Sequence, residues 1–156
     1  MSEGPSWAVV ERLLRASDRR DLDEIRALTR DAIAAIQADE DRGCGDELYA
    51  LCFLLYLVGD PADVALVYAA KYLNMDTGCM IAGGLLTMGR DRETMMRAID
   101  ALPLATRPHL ARDLALAFDA PLHASEAARA QTLRSYFGIE RATGDDAGGA
   151  GAEREA

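Results

Sequence analysis

An uninterrupted apolar segment in the first half of the chain constrains the fold more than any other feature. Residues 48–58 read LYALCFLLYLV, without a single charged side chain. A helix that crosses a bilayer needs about 20 apolar residues, so this segment is too short to span a membrane. A helix that is apolar on every side has to be covered by other elements. The segment therefore predicts a buried helix at the centre of a packed domain.

Apolar residues spaced three and four positions apart recur along the rest of the chain and predict further helices. Asp60, Asp76 and Asp91 are predicted N-caps, because an Asp side chain accepts hydrogen bonds from the free amides of a first helical turn. No alternating stretch bounded by hairpin turn residues indicates a strand. The predicted helices cover residues 5–17, 22–38, 46–58, 60–73, 77–88, 92–102, 107–118 and 124–137.

The predicted fold class is all-α, with about eight antiparallel helices stacked as helical hairpins in a HEAT- or ankyrin-like α-α superhelix, and no sheet. A faint internal repeat supports this prediction. Residues 54–69 and 85–101 each read as a helix end, a glycine, a capping Asp and a new helix. Neither family's sequence signature is present. Residues 1–139 are predicted to form one helical domain. Residues 140–156 are rich in Gly and Ala, charged and aperiodic, and are predicted to form a disordered acidic tail.

The formal net charge is −9. This charge repels nucleic acid in the absence of a local basic patch, and the sequence contains no such patch. A basic protein is the partner that the charge favours. The first residues lack the features of a signal peptide. Cys44, Cys52 and Cys79 are predicted to be reduced, mostly buried thiols of a cytoplasmic protein with no membrane association.

The tripeptide Asp76-Thr77-Gly78 matches the one that aspartic proteases use to hold a catalytic carboxylate. In those enzymes the tripeptide lies in a strand-bounded loop, and two carboxylates share one proton. Here the flanking residues are helical in pattern and no second copy exists. The motif therefore predicts a corner between two helices, with the carboxylate held by backbone amides of the first turn.

Other catalytic and metal-binding patterns fail. The acidic segment 38–47 does not match an EF-hand loop, which would need Gly at Cys44 and Glu at Ala50. The cysteines and the two histidines, His109 and His123, lack the spacing of zinc ligands. Cys44 lies between two glycines and could be an exposed thiol, but no nearby residue would act as its base. The expectation is a non-enzymatic protein with no metal and no cofactor.

Acidic residues concentrate in two predicted turns. In a stack of antiparallel helices alternate turns lie at the same end, so the turns near 39–47, 74–76 and 103–107 are expected to share one rim. The first two turns predict a negative rim, uncompensated until Arg107, that binds a basic partner. The alternative is that these acids only stabilise helix N-termini. The candidate rim residues are Asp39, Glu40, Asp41, Asp46, Glu47 and Asp76.

Tyrosines provide a second candidate surface. Tyr49, Phe53 and Tyr56 share one face of the third predicted helix, and Tyr68 and Tyr72 share one face of the fourth. The favoured interpretation is core packing with the hydroxyls reaching the rim. The functional alternative is an aromatic groove for a protein partner, since Tyr is enriched at binding hot spots.

Residues 59–89, GDPADVALVYAAKYLNMDTGCMIAGGLLTMG, resemble a pattern in small uncharacterised bacterial all-helical proteins. In that pattern an Asp-Pro turn opens a helix, an Ala-Lys pair precedes a short Asn-x-Asp-Thr turn, and a Cys-containing helix with Gly-rich packing follows. The resemblance implies a fold akin to helical repeats. Some helical proteins of this kind are immunity proteins for secreted bacterial toxins. The matching residues are Asp60, Pro61, Asp63, Ala70, Lys71, Asn74, Asp76, Thr77, Gly78 and Cys79.

The leading functional expectation is a protein-binding module, most concretely an immunity-type inhibitor that occludes a basic partner through the acidic rim and an aromatic groove. Two alternatives stay open. One is a small-molecule or cofactor-binding helical accessory protein, with a pocket between the third, fourth and fifth helices lined by Tyr68, Tyr72 and Met80. The other is a structural homo-oligomer.

Overall fold

The computed structural model describes residues 3–16, 21–39, 41–119, 131 and 133–138. These residues form helices and contain no strand, which confirms the all-α fold class. None of the helices in the described ranges is long and apolar enough to cross a membrane. The predicted tail at 140–156 and most of the predicted helix at 124–137 lie outside the described residues. The α-helices are α1 (Trp7–Arg15), α2 (Leu22–Ala38), α3 (Asp46–Val58), α4 (Val64–Lys71), α5 (Met75–Met80), α6 (Arg92–Asp100) and α7 (Arg107–Asp119), with 3-10 segments at Pro61–Asp63 and Gly83–Thr87.

Helix α3 is the centre of the molecule, as the apolar segment predicted. Every residue from Leu48 to Tyr56 is buried. Helices α1, α2 and α4 and the 3-10 segment Gly83–Thr87 pack around it. Gly59 ends the helix in the left-handed conformation (φ 72°), and its N–H donates to the carbonyl of Leu55 at 2.9 Å. A helix covered on all sides leaves function to the turns and outer faces.

Local signals predicted the starts and the capping residues of other helices. Helix α2 has the predicted bounds, and the Asp21 side chain caps it by accepting from Glu24 N–H at 3.1 Å. Asp91 caps α6 as predicted, accepting from Thr94 N–H at 2.9 Å. Asp60 also caps as predicted, accepting from Ala62 N–H, but the first turn after it is 3-10 and α4 ends at Lys71.

The predicted helix over residues 77–88 is wrong. Asn74 caps α5, in a reciprocal pair with Thr77, and the helix stops at Met80 because Ile81 and Ala82 are extended. The Lys71 ammonium closes this end by donating to the carbonyls of Gly78 and Ile81, each at 2.6 Å. The two glycines that follow weaken any continuation of the helix, since each costs about 1 kcal/mol relative to Ala.

The turn at Gly59, after α3, and the turn at Gly89, before α6, contact each other. Gly59 and Gly89 both have positive φ, at 72° and 63°, and a capping Asp follows each. Between them Arg90 Nε donates to the Gly59 carbonyl at 2.7 Å. These two turns therefore lie side by side.

A charged cluster joins α2 to the entry of α4. Arg26 donates to both oxygens of Asp63, at 2.8 and 3.0 Å, and to Asp60 at 2.8 Å. Asp63 is only 6% exposed, and Arg26 is the cation that pairs with its carboxylate. The fork of an arginine matches a carboxylate in this bidentate geometry. The cluster fixes the start of α4 against α2.

Candidate functional site

The turn after α2 and the corner before α5 meet at one end of the molecule. The backbone N–H of Cys44 donates to Asp76 Oδ2. A Cβ added at Gly43 would lie 3.0 Å from the same oxygen. The absence of a side chain at Gly43 therefore allows the Asp76 carboxylate to lie this close to the turn. Asp76 therefore accepts from an amide in another segment, and the prediction that it caps its own helix is wrong. As the second residue of α5 it also carries the charge that a helix N-terminus favours.

Five carboxylates lie on the two segments that this contact joins, and we call them the acidic rim. Asp39, Asp41, Asp46 and Asp76 are exposed, and Glu47 is half-buried. Glu40, the sixth predicted member, lies outside the described residues. The rim acids also have structural roles, since Asp39 accepts from Asp41 N–H and Asp46 accepts from the Tyr136 hydroxyl, both at 3.1 Å.

The rim is not free of positive charge before Arg107, and that part of the prediction is wrong. Arg42 lies inside the same turn and is exposed. Its guanidinium is directed to the N-terminal segment, where Nη2 would lie 3.2 Å from a Cβ added at Gly4. One arginine among five acids leaves the rim negative.

The cysteines near the rim differ in exposure. Burial, together with the charges of Asp76, Asp46 and Glu47, raises the pKa of Cys44 to about 11. Cys44 therefore stays a thiol at neutral pH, and a thiol is a poor nucleophile. Cys52 is buried, whereas Cys79 is exposed, so the prediction of mostly buried thiols is wrong for Cys79.

The four candidate tyrosines divide into two groups. Tyr49 and Tyr56 are 9% and 5% exposed and belong to the core, where Tyr49 packs edge-on against Phe137 at 5.3 Å between ring centroids. Tyr68 and Tyr72 contact each other at 4.7 Å between centroids, and Tyr72 is 51% exposed. The Tyr72 hydroxyl donates to Asp113 of α7. Of these four tyrosines, only Tyr68 and Tyr72 therefore offer aromatic surface to a partner.

The protease-like tripeptide is part of a helical corner. Thr77 N–H donates to Asn74 Oδ1 at 2.9 Å, and Asn74 N–H donates to Thr77 Oγ1 at 3.1 Å. The local hydrogen bonds of this motif thus serve helix capping. Within the described part of the chain, no group of three His, Cys, Asp or Glu side chains is placed to hold a metal ion.

A shallow groove lies between the end of α2 and the corner before α5. Its lining consists of Ile36, Gln37, Leu73 and Asn74. Ile36 also lines a second depression, beside the turn that carries Arg42 and Glu47. Sequence reasoning missed the groove because its two walls are 36 residues apart in sequence, counted from Gln37 to Leu73. The only local signal was the position of Gln37 and Asn74, each two residues before a rim acid.

No family model matches the chain, and neither a curated protein nor a solved structure matches it significantly. The geometry of the acidic rim and of the groove beside it is therefore the basis for a functional argument.

Proposed function

We propose that this protein is a non-enzymatic protein-binding module of the bacterial cytoplasm, most concretely an immunity-type inhibitor of a basic partner. The observation that carries the proposal is the contact between Asp76 and the turn at Cys44. This contact gathers exposed acids from two separate segments at one end of the molecule. The net charge of −9 favours the same class of partner.

The mechanism would be occlusion of a basic active site. Complementary charge steers a partner toward the correct face and raises the association rate. Screening limits this steering to about 8–10 Å at physiological salt, so the charges have to be concentrated on the binding face. The acidic rim meets that requirement, because its members lie on two turns in direct contact.

Part of the aromatic surface belongs to the same proposal. Tyr72 is four residues before Asp76, and the exposed Met75 lies between them in sequence. Tyrosine and methionine beside a charged rim are residue types that protein interfaces favour. Tyr49 and Tyr56 are excluded from the proposed surface because they are buried. The stacked helical-hairpin arrangement is also part of the proposal, and the side-by-side turns at Gly59 and Gly89 support it.

The experiment reverses rim charges and measures association with a captured partner. Immobilised protein captures its partner from a lysate of the source cells. The purified partner is then tested against a variant in which the rim acids Asp39 and Asp41 and the intervening Glu40 are changed to Lys. The matched control changes Asp31, Glu93 and Asp100 to Lys, which are exposed acids away from the rim. Both variants alter the net charge equally.

The rim variant is expected to slow association at low salt by about tenfold or more, whereas the control changes it by about twofold. Added salt is expected to reduce the difference between the two variants. Equal association rates for the rim variant, the control and the wild-type protein would dispose of the rim as a binding surface.

The two other functional expectations stay predictions. Tyr68 and Tyr72, proposed to line a small-molecule pocket, contact each other, and the hydroxyl of Tyr72 is bonded to Asp113. A homo-oligomer would have to bring together chains that each carry a net charge of −9. Size-exclusion mass at two protein concentrations tests the oligomer.

A further inference from the structure

The depression beside the turn that carries Arg42 lies where the N-terminal segment, α2 and the start of α3 meet. Three apolar side chains form the buried part of its lining: Ala32 and Ile36, each 6% exposed, and Leu48, 1% exposed. Its volume is about 70 Å³, whereas one ordered water needs about 10–15 Å³. Pockets for drug-sized ligands have volumes of about 300–1,000 Å³. The depression therefore has space for a molecule of a few non-hydrogen atoms.

Two side chains of opposite charge, Arg42 and Glu47, belong to the same lining. The Arg42 guanidinium is directed over Gly4, where Nη2 would lie 3.2 Å from an added Cβ. The Glu47 carboxylate is directed over Gly45, where Oε2 would lie 2.5 Å from an added Cβ. Both glycines also line the depression. The cation therefore lies beside the N-terminal segment, and the anion lies beside the start of α3.

Neither Arg42 nor Glu47 has an ion-pair partner among the described residues. No guanidinium nitrogen of Arg42 lies within 4.0 Å of a Glu47 carboxylate oxygen, and neither side chain pairs with another described residue. Other arginines, such as Arg26 and Arg97, do pair with acids. The depression thus presents one cation and one anion that are both available to a ligand.

We propose that this depression binds a small zwitterion, a free α-amino acid of about the size of alanine. The carboxylate of the ligand would accept hydrogen bonds from Arg42, because the fork of a guanidinium matches a carboxylate. The ammonium group of the ligand would donate to Glu47, whose ionised carboxylate only accepts hydrogen bonds. Its methyl group would lie on the apolar part of the lining. The proposal goes beyond the proposed function, since it involves no protein partner.

Other small ligands would use this lining less completely. A simple amine would pair with Glu47 and make no contact of opposite charge with Arg42, and a simple carboxylate would do the reverse. In an α-amino acid the two charged groups are attached to one carbon, so a single small molecule can reach both side chains. An amino acid with a large side chain would exceed the volume of about 70 Å³.

Matched probes separate the two charges of the ligand. L-alanine carries both charged groups, ethylamine lacks the carboxylate, and propionate lacks the ammonium group. Each probe is titrated at low salt into protein with ¹³C-labelled isoleucine and leucine methyl groups, and the signals of Ile36 and Leu48 are followed. L-alanine is expected to shift both signals saturably. It is expected to bind about tenfold more tightly than either other probe, because it forms a second charge-assisted hydrogen bond.

Removing each charge tests the two side chains. Arg42→Gln and Glu47→Gln are each expected to weaken L-alanine binding by about tenfold. Arg97→Gln and Glu93→Gln are the matched controls, because this exposed ion pair lies on α6, which does not contribute to the lining. Each control is expected to change L-alanine binding by less than about twofold, since exposed charges far from a site are screened.

Three results would overturn the proposal. Ethylamine or propionate binding as tightly as L-alanine would show that the depression recognises a single charge. Equal effects of the lining variants and their controls would place the ligand elsewhere. Absence of saturable shifts with L-alanine at millimolar concentrations would exclude the amino-acid site. That last result would leave the protein-binding proposal standing, because the association rate of the rim variant tests it separately.

Discussion

The carboxylate of Asp76 accepts a hydrogen bond from the backbone N–H of Cys44, a residue 32 positions earlier in the chain. This bond joins the turn after α2 to the first turn of α5. It has no counterpart among the local capping bonds, since Asn74 and Thr77 already cap α5. The bond therefore links the two segments that carry the acidic rim.

Replacing Asp76 by Ala is expected to lower the free energy of unfolding by about 1–2 kcal/mol, because it removes a charge-assisted hydrogen bond and an acid at a helix N-terminus. Urea unfolding measures the loss. The matched control Asp76→Asn keeps an acceptor and is expected to cost less. Amide hydrogen exchange at Cys44 is expected to accelerate in Asp76→Ala, and unchanged exchange there would contradict the role assigned to the bond.

Replacing Arg26 by Met is expected to cost about 3 kcal/mol, because it leaves the buried carboxylate of Asp63 without a partner. The cost is at the lower end for such pairs, since the Arg26 side chain is 23% exposed. Arg97→Met is the control; it breaks an exposed pair with Glu93 and is expected to cost less than about 0.5 kcal/mol. Thermal or urea unfolding compares them. Equal stabilities of the two variants would show that the Arg26 cluster is dispensable.

Replacing Gly59 by Ala is expected to cost about 1–2 kcal/mol, the penalty for an L-residue in the left-handed region. A Cβ there would also lie 3.0 Å from the Met88 carbonyl oxygen, so the neighbouring turn would have to shift. Gly83→Ala is the matched control, because a Cβ added at Gly83 has nothing within 4 Å. Urea unfolding of both variants tests the assignment, and a Gly83 variant as unstable as the Gly59 variant would argue against it.

The Tyr72 phenol is expected to lose its proton at a higher pH than an ordinary tyrosine. Burial and the hydrogen bond to Asp113 raise the pKa of Tyr72 to about 12, from an ordinary value of 10.0. Because the folded pKa lies above the unfolded one, the protonated phenol favours the folded state. That contribution is complete below about pH 10 and is lost as the pH rises toward 12.

The measurement for Tyr72 is an NMR titration of the ¹³Cζ signals, with Tyr72→Phe to assign the late resonance. Asp113→Asn is expected to move the midpoint toward the ordinary value, because it removes the negative charge that disfavours the phenolate. An unchanged titration midpoint of Tyr72 in Asp113→Asn would show that this hydrogen bond does not raise the pKa of Tyr72. Tyr68→Phe serves as the control for a general effect of altering the aromatic pair.

Local chemistry was enough to predict the central elements. The segment 48–58 predicted a buried helix because it contains no charged side chain. The bounds of α2 were predicted correctly because its apolar spacing and its charged face are properties of that helix alone. Asp60 and Asp91 cap as expected, because a cap involves only residues two or three positions away. The acids of the rim could likewise be identified as residues of a turn or of the first turn of a helix.

The tertiary structure decided how the corner at residues 74–82 folds. Sequence alone predicted Asp76 as the cap, but Asn74 pairs with Thr77 instead, which leaves Asp76 available to bond Cys44. Lys71 ends α5 through carbonyls seven and ten residues away, which no periodic pattern encodes. The sequence did not distinguish Tyr49 from Tyr72, yet Tyr49 is buried and Tyr72 is exposed. A helix specifies its own hydrogen bonds and apolar face, whereas contacts between turns depend on how separate helices pack, and the acidic rim and its groove are built from such contacts.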